Sequence, residues 1–178
     1  MIFRDPVRRF YSEMSNYYRH NTDQENAPDA WKNDNPKERR YWENIKKNYP
    51  DSISYWKLKL ETAKWEVNAD YAKIYNNYKV VFENVHPIIM EDLWNPDGVA
   101  LDELSLFLRH PLTKLHDNVY YPERGTNRPE TPGLRDQWIS DMQNLSQEDL
   151  DYGRKKLEWV YTSCQASGIY PIRSWKAL

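Results

Sequence analysis

The stretch DSISYWKLKLETAKWEVNADYAKIYNNYKVVFENV, Asp51 to Val85, decides how this chain is read. It contains no proline and no glycine, and apolar residues recur at Trp56, Leu60, Ala63, Val67, Tyr71, Ile74, Tyr78, Val81 and Val85. Those eight steps over 29 residues average about 3.6 residues each, the α-helical period. A second set, Leu58, Trp65, Ala69 and Ala72, projects to the opposite side at about 100° per residue. One apolar stripe asks for one partner surface, and two stripes ask for two. A single helix over 51–85 would be about 50 Å long, against a radius of gyration of about 16 Å for a compact domain of this length. The expectation is an all-α, elongated chain with about five helices around one long central helix, and with extended N-terminal, middle-loop and C-terminal arms.

Upstream, Asn35-Pro36 gives a cap followed by proline, and Glu38 falls in the first turn, where the helix dipole favours an acid. The helix PKERRYWENIKKN should bury Tyr41, Trp42 and Ile45 and end at Tyr49-Pro50, with Asp51 or Ser52 capping the next. Residues 21–36 form a polar linker whose large apolar residue is Trp31, an anchor for a neighbouring surface. Before it, Asp5-Pro6 opens a helix with Phe3, Val7, Phe10, Met14 and Tyr17 on one face and Arg4, Arg8, Arg9 and Arg19 around it. That basic amphipathic segment is reminiscent of a mitochondrial targeting helix, although Asp5 and Glu13 count against it. The expectation is a retained docking helix. Residues 1–35 are thus an N-terminal arm, and 36–110 the helical core.

Downstream, His86-Pro87 should break the rod. Asn95 to Gly98 is a turn, and VALDELSLFLRH a short helix ended before Pro111. Residues 111–133 read as an extended Pro/Gly loop tipped by Tyr120 and Tyr121, too long for a mere connector. Residues 134–178 hold the C-terminal helices and tail. Leu134, Trp138, Met142 and Leu145 share one helical face. LSQEDL then supplies a capping box from Ser146 and Asp149, with Leu145 placed to staple onto Leu150. The last helix should run to about Gln165, turn Leu157, Val160, Tyr161 and Cys164 inward, and stop at Gly168. The tail beyond it carries Tyr170 and Trp175, which need a surface to lie on.

Composition restricts the function classes. Apolar residues are 39% of the 178, yet there are 8 Trp and 14 Tyr, which disordered chains lack and interfaces favour. With 25 basic and 27 acidic residues the net charge of −2 gives no footprint for nucleic acid, and none is expected as a partner. The one cysteine, Cys164, cannot form an internal disulfide. No apolar run approaches the roughly 20 residues of a membrane span, so any membrane contact would be peripheral.

Chemical motifs are missing one by one. His20, His86, His110 and His116 lack the i, i+4 spacing of a zinc pair. NPDGVALDEL fails as a calcium loop, because it puts Leu93 and Leu104 at ligand positions. The five glycines are too scattered for a phosphate loop, and Cys164 on an apolar face reads as a small core residue. RRYWENIKKNY interleaves bases with aromatics, but a helix with a basic outer face explains it more simply. No catalytic, cofactor-binding or metal residues are assigned.

The expected function is a non-catalytic structural or accessory subunit of a large multiprotein assembly, with other protein subunits as partners. The basic N-terminal helix directs that expectation to an intracellular assembly, a respiratory-chain or ATP synthase complex, peripheral on the mitochondrial inner membrane. Interface candidates are Trp31, Leu58, Trp65, Tyr120, Tyr121, Tyr170 and Trp175. The alternatives are a small α-helical enzyme built from dispersed His and carboxylates, an RNA-binding adaptor, and a microtubule or phage structural protein.

Overall fold

The computed structural model describes residues 1–23, 35–62, 70–89, 92, 99–112 and 145–169. Among them the chain is all-α, with seven helices and 74% helical content. The helices are α1 (Pro6–Thr22), α2 (Pro36–Asn48), α3 (Ser52–Thr62), α4 (Tyr71–Val81), α5 (Val99–Leu108), α6 (Gln147–Lys156) and α7 (Glu158–Ala166). Two short strands, β1 (Ile2–Phe3) and β2 (Ile88–Ile89), pair in parallel with Ile2 opposite Ile88. The chain divides into two compact units, each assembled from separated stretches of sequence.

The first unit takes in Pro6–Val67 and Trp138–Leu157. Its helices begin where local chemistry directs. The Asn35 side chain accepts from the Lys37 amide at 3.1 Å, with Pro36 in the first turn of α2. Asp51 Oδ1 accepts from the Ser54 amide at 2.7 Å to open α3. At α6, Ser146 Oγ accepts from the Asp149 amide at 3.1 Å while Asp149 Oδ2 accepts from the Ser146 amide at 3.2 Å, the expected capping box. Helix α1 lies along α3, and α2 and α6 pack against them. The core is aromatic: Tyr11 meets Trp56 edge-on at 5.7 Å, and Tyr18, Trp42 and Ile45 close around Tyr55. The Tyr55 hydroxyl and the Trp56 indole N–H are buried without a hydrogen-bond partner. Each such group costs about 1–3 kcal/mol. Burying a ring of roughly 150–250 Å² at about 25 cal/mol per Å² contributes on the order of 4–6 kcal/mol, so the apolar term wins.

The second unit takes in Met1–Asp5, Asn68–Gln137 and Glu158–Leu178. Phe3 of β1 lies against Tyr71 at 5.1 Å and Tyr75 at 6.4 Å, and α4 packs on α7. Tyr161 donates to the buried Asp5 carboxylate at 3.3 Å. Helix α7 ends in a Schellman motif, with the Ile169 amide bonded to the Cys164 carbonyl and the Gly168 amide to that of Gln165. Gly168 has φ +78°, the left-handed conformation that glycine adopts without penalty. This is the stop expected there.

Several expectations are corrected. Residues 51–85 are not one helix. Asp70 has non-helical backbone (φ −78°, ψ 71°), and its side chain accepts from the Lys73 amide at 2.9 Å, so it caps a new helix. An aspartate offers more as a cap than in a helix interior, where it competes with the backbone. The far end also falls short of Val85, because Phe82 is already extended. Tyr78 and Val81 of the expected main stripe are exposed, while Tyr55, Tyr71, Ala72 and Tyr75 are buried. In α1 the buried face runs through Val7, Tyr11, Ser15 and Tyr18, which leaves Tyr17 exposed. Tyr41 is exposed on α2, its ring set edge-on to Trp42 at 5.3 Å. The last helix is two, because Leu157 (φ −105°, ψ 16°) separates α6 from α7. The expected helix at 134–145, the 111–133 loop and the C-terminal tail lie outside the described residues, apart from their flanking ends.

Candidate functional site

Among the described residues no group of three His, Cys, Asp or Glu side chains could hold a metal ion. Cys164 is fully buried in α7, and burial, with the Asp70 carboxylate adding to it, pushes its thiol up to about 12. A thiol held that high is not a nucleophile at neutral pH.

A cavity of about 190 Å³ lies in the second unit, lined by His86, Ile89, Asp92, Ala100, Glu103 and Ile169 among others. The His86 ring stacks on Phe107 at 5.0 Å and 24°. Burial lowers the His86 pKa below its ordinary value, Glu103 opposes that shift, and the Met1 ammonium adds to it. That ammonium donates to the His86 carbonyl at 2.8 Å, which fixes the backbone there. An imidazole beside two carboxylates could shuttle a proton. However, the described lining holds no Ser, Thr, Tyr, Lys or Cys, so a hydroxyl, amine or thiol nucleophile is missing from it. Two further histidines, His110 and His116, bear on an enzyme built from dispersed His and carboxylates. His110 is exposed past the end of α5, and His116 is outside the described residues.

An RNA-binding surface on RRYWENIKKNY needs Arg39, Arg40, Lys46 and Lys47 along one groove beside an exposed aromatic. All four are exposed on α2, and so is Tyr41. Glu43, however, lies three or four residues from each of them, so a carboxylate sits in the middle of the basic face. The Lys46 ammonium is also turned toward the Thr22 carbonyl at 3.3 Å.

The strongest feature is apolar. Helix α5, VALDELSLFL, has no buried residue. Leu106 is 78% exposed, and Phe107 and Leu108 are exposed beside it. In the same unit the end of α4 presents Val80 and Val81 at 87% and 74%, followed by Phe82, whose ring stacks with that of Tyr78 at 5.7 Å. The two groups are linked within that unit: Phe82 precedes His86 by four residues, and the His86 ring lies on Phe107. Exposed apolar side chains gathered in one region mark interaction surfaces more often than scattered ones do.

Of the expected interface residues, only Leu58 is described. It is half-buried against the Tyr18, Trp42, Ile45 and Tyr55 cluster, so the chain's own core accounts for most of it. Trp31, Trp65, Tyr120, Tyr121, Tyr170 and Trp175 lie outside the described residues. The residues that sequence reasoning missed are Val80, Val81 and the run Leu106-Phe107-Leu108. The signal was present: three successive apolar residues spread over about 200° of a helix, more than one packed face covers.

No helix among the described residues is long and apolar enough to cross a membrane. The chain matches no known protein family, no curated protein and no solved structure.

Proposed function

We propose that this chain is a non-catalytic structural or accessory subunit of a multiprotein assembly, docking through the apolar surface of α5 and the end of α4. The observation that carries the reading is a ten-residue apolar helix with no residue fully buried, its C-terminal Leu106, Phe107 and Leu108 exposed and Leu106 at 78%. Covering one such leucine stabilises a complex by about 1.5–3 kcal/mol, which makes this region the natural place for a partner. The cavity beside His86 lends the enzyme alternative less support, because its described lining has no hydroxyl, thiol or amine side chain. A peripheral mitochondrial setting remains part of the proposal through the basic N-terminal helix. Its apolar side supports that setting less directly, because Val7, Tyr11 and Tyr18 are buried in the first unit.

The test is affinity purification of tagged chain from its native source, with wild type and Leu106→Glu compared by quantitative mass spectrometry. A set of partner proteins should be recovered with wild type and depleted with the variant. Recovery of the same set at the same yield by both would overturn the site.

A further inference from the structure

The apolar surface carries charge of opposite sign on its two helices. On α5 the only charged residues are Asp102 and Glu103, both exposed and one turn before Leu106. On α4 the only charged residues are Lys73 and Lys79, and one exposed line runs Lys73, Asn77, Val80, Val81 at i, i+4, i+7 and i+8, while the exposed Lys79 turns its ammonium over the Tyr75 ring at 5.3 Å. Along that line α4 presents a lysine and then two valines, and α5 two carboxylates and then Leu106, the same order with opposite charge.

Resting on the reading of this surface as a docking face, we propose that its occupant is a second copy of this chain. Helix α4 of each copy lies parallel to α5 of the other. Lys73 then meets Asp102 and Glu103, and Val80 with Val81 meets Leu106. The spacings agree within a side chain's reach. Lys73 and Val80 are about 10 Å apart along the axis and Asp102 and Leu106 about 6 Å, a difference the flexible lysine stem spans. A two-fold interface requires that one patch carry both complementary halves. This patch does, since the α4 end and α5 belong to one unit, and the chain leaving α4 reaches α5 four residues past Phe82, where the His86 ring lies on Phe107.

Sedimentation of the full chain tests the proposal, with circular dichroism confirming that each variant keeps its helicity. Wild type should be a concentration-dependent dimer, and Leu106→Glu a monomer. Lys73→Glu and Asp102→Lys should each weaken the dimer about tenfold, because two attractions become repulsions. An equimolar mixture of those two variants should restore affinity to within about twofold of wild type. In the mixed dimer the introduced glutamate faces the introduced lysine at one contact, and the native Lys73 and Asp102 face each other at the second. Recovery therefore reports pairing between copies. A wild-type chain that stays monomeric at every accessible concentration overturns the proposal. So does a dimer unmoved by Leu106→Glu, or a mixture that does not recover. A monomeric wild type whose native partners are still lost on Leu106→Glu would overturn only the second copy and keep the docking face.

Discussion

Gly153 faces Trp56 with no room for a side chain. A Cβ built there would stand 2.9 Å from Trp56 Cζ2 and 2.8 Å from Val7 Cγ1. Both neighbours are fully buried, so neither is a loose tip that could swing aside. Helix propensity alone favours alanine over glycine by about 1 kcal/mol. Overpacking a filled core costs about 1–3 kcal/mol and should win. Gly153→Ala is therefore expected to lower the urea midpoint, with a net loss of about 1 kcal/mol. A midpoint at or above wild type would show that α6 can back away from the ring.

Asp149 joins the capping box to α3, its Oδ1 lying 2.5 Å from the Lys57 ammonium. Burial pushes its carboxyl up, but the Lys57 ammonium and the Ser146 hydroxyl and amide outweigh that and hold it below the ordinary aspartate range. In the unfolded chain the group takes up its proton first as pH falls. Its contribution is thus fully present above about pH 5 and is lost as pH falls through 3.8 and then the lower folded value. Asp149→Asn keeps an acceptor for the cap but removes the ion pair, which is half-exposed at Lys57. It should cost about 1 kcal/mol at pH 7 and flatten the acid limb of stability against pH. A variant that loses stability toward pH 3 as steeply as wild type would place the acid sensitivity in another carboxylate.

The helix boundaries with a side-chain signature were legible in the sequence: Asn35-Pro36, Ser146 with Asp149, and Gly168. The break at Asp70 was not, because the apolar spacing of about 3.6 runs on through it in the sequence and carries no mark of an interruption. Tyr17 and Tyr41 depart from their expected faces for a related reason. A tyrosine is apolar enough to extend a stripe and polar enough to leave it, so it fixes the phase of a helix poorly. For the candidate site, the apolar run Leu106-Phe107-Leu108 was visible as residues. Whether a leucine on a helix meets its own chain or a partner depends on where other segments return, which local pattern does not encode.

Arg109 occupies a backbone position that suits glycine. Its φ is +53°, and it closes α5 in a Schellman motif, with the His110 amide bonded to the Ser105 carbonyl at 3.1 Å and its own amide to that of Leu106 at 3.2 Å. The left-handed conformation costs an L side chain about 1–2 kcal/mol, and glycine escapes that at some expense in unfolded-state entropy. Arg109→Gly should raise stability by about 0.5–1 kcal/mol, read from chemical denaturation. Arg109→Val, branched at Cβ, should lower it. An inverted order would mean that the arginine side chain contributes more than its backbone strain removes.

The sharpest test of the corrected long stretch is Asp70→Ala. If residues 51–85 formed one continuous helix, position 70 would be a helix interior, and alanine is the best interior residue. The substitution would then stabilise the chain by about 0.5 kcal/mol and raise its helical signal. In the structure Asp70 instead caps α4, its Oδ1 accepting from the Lys73 amide at 2.9 Å and its carbonyl from the Ile74 amide at 3.1 Å. Removing the side chain leaves the Lys73 amide without that acceptor, so Asp70→Ala should cost about 0.5–2 kcal/mol. Asp70→Asn and Asp70→Ser keep an acceptor oxygen and should stay within about 0.5 kcal/mol of wild type. The two arrangements predict opposite signs for one substitution. A stabilised Asp70→Ala with a stronger helical circular-dichroism band would return the helix to one piece, whereas a destabilised one rescued by asparagine fixes the start of α4 at Tyr71.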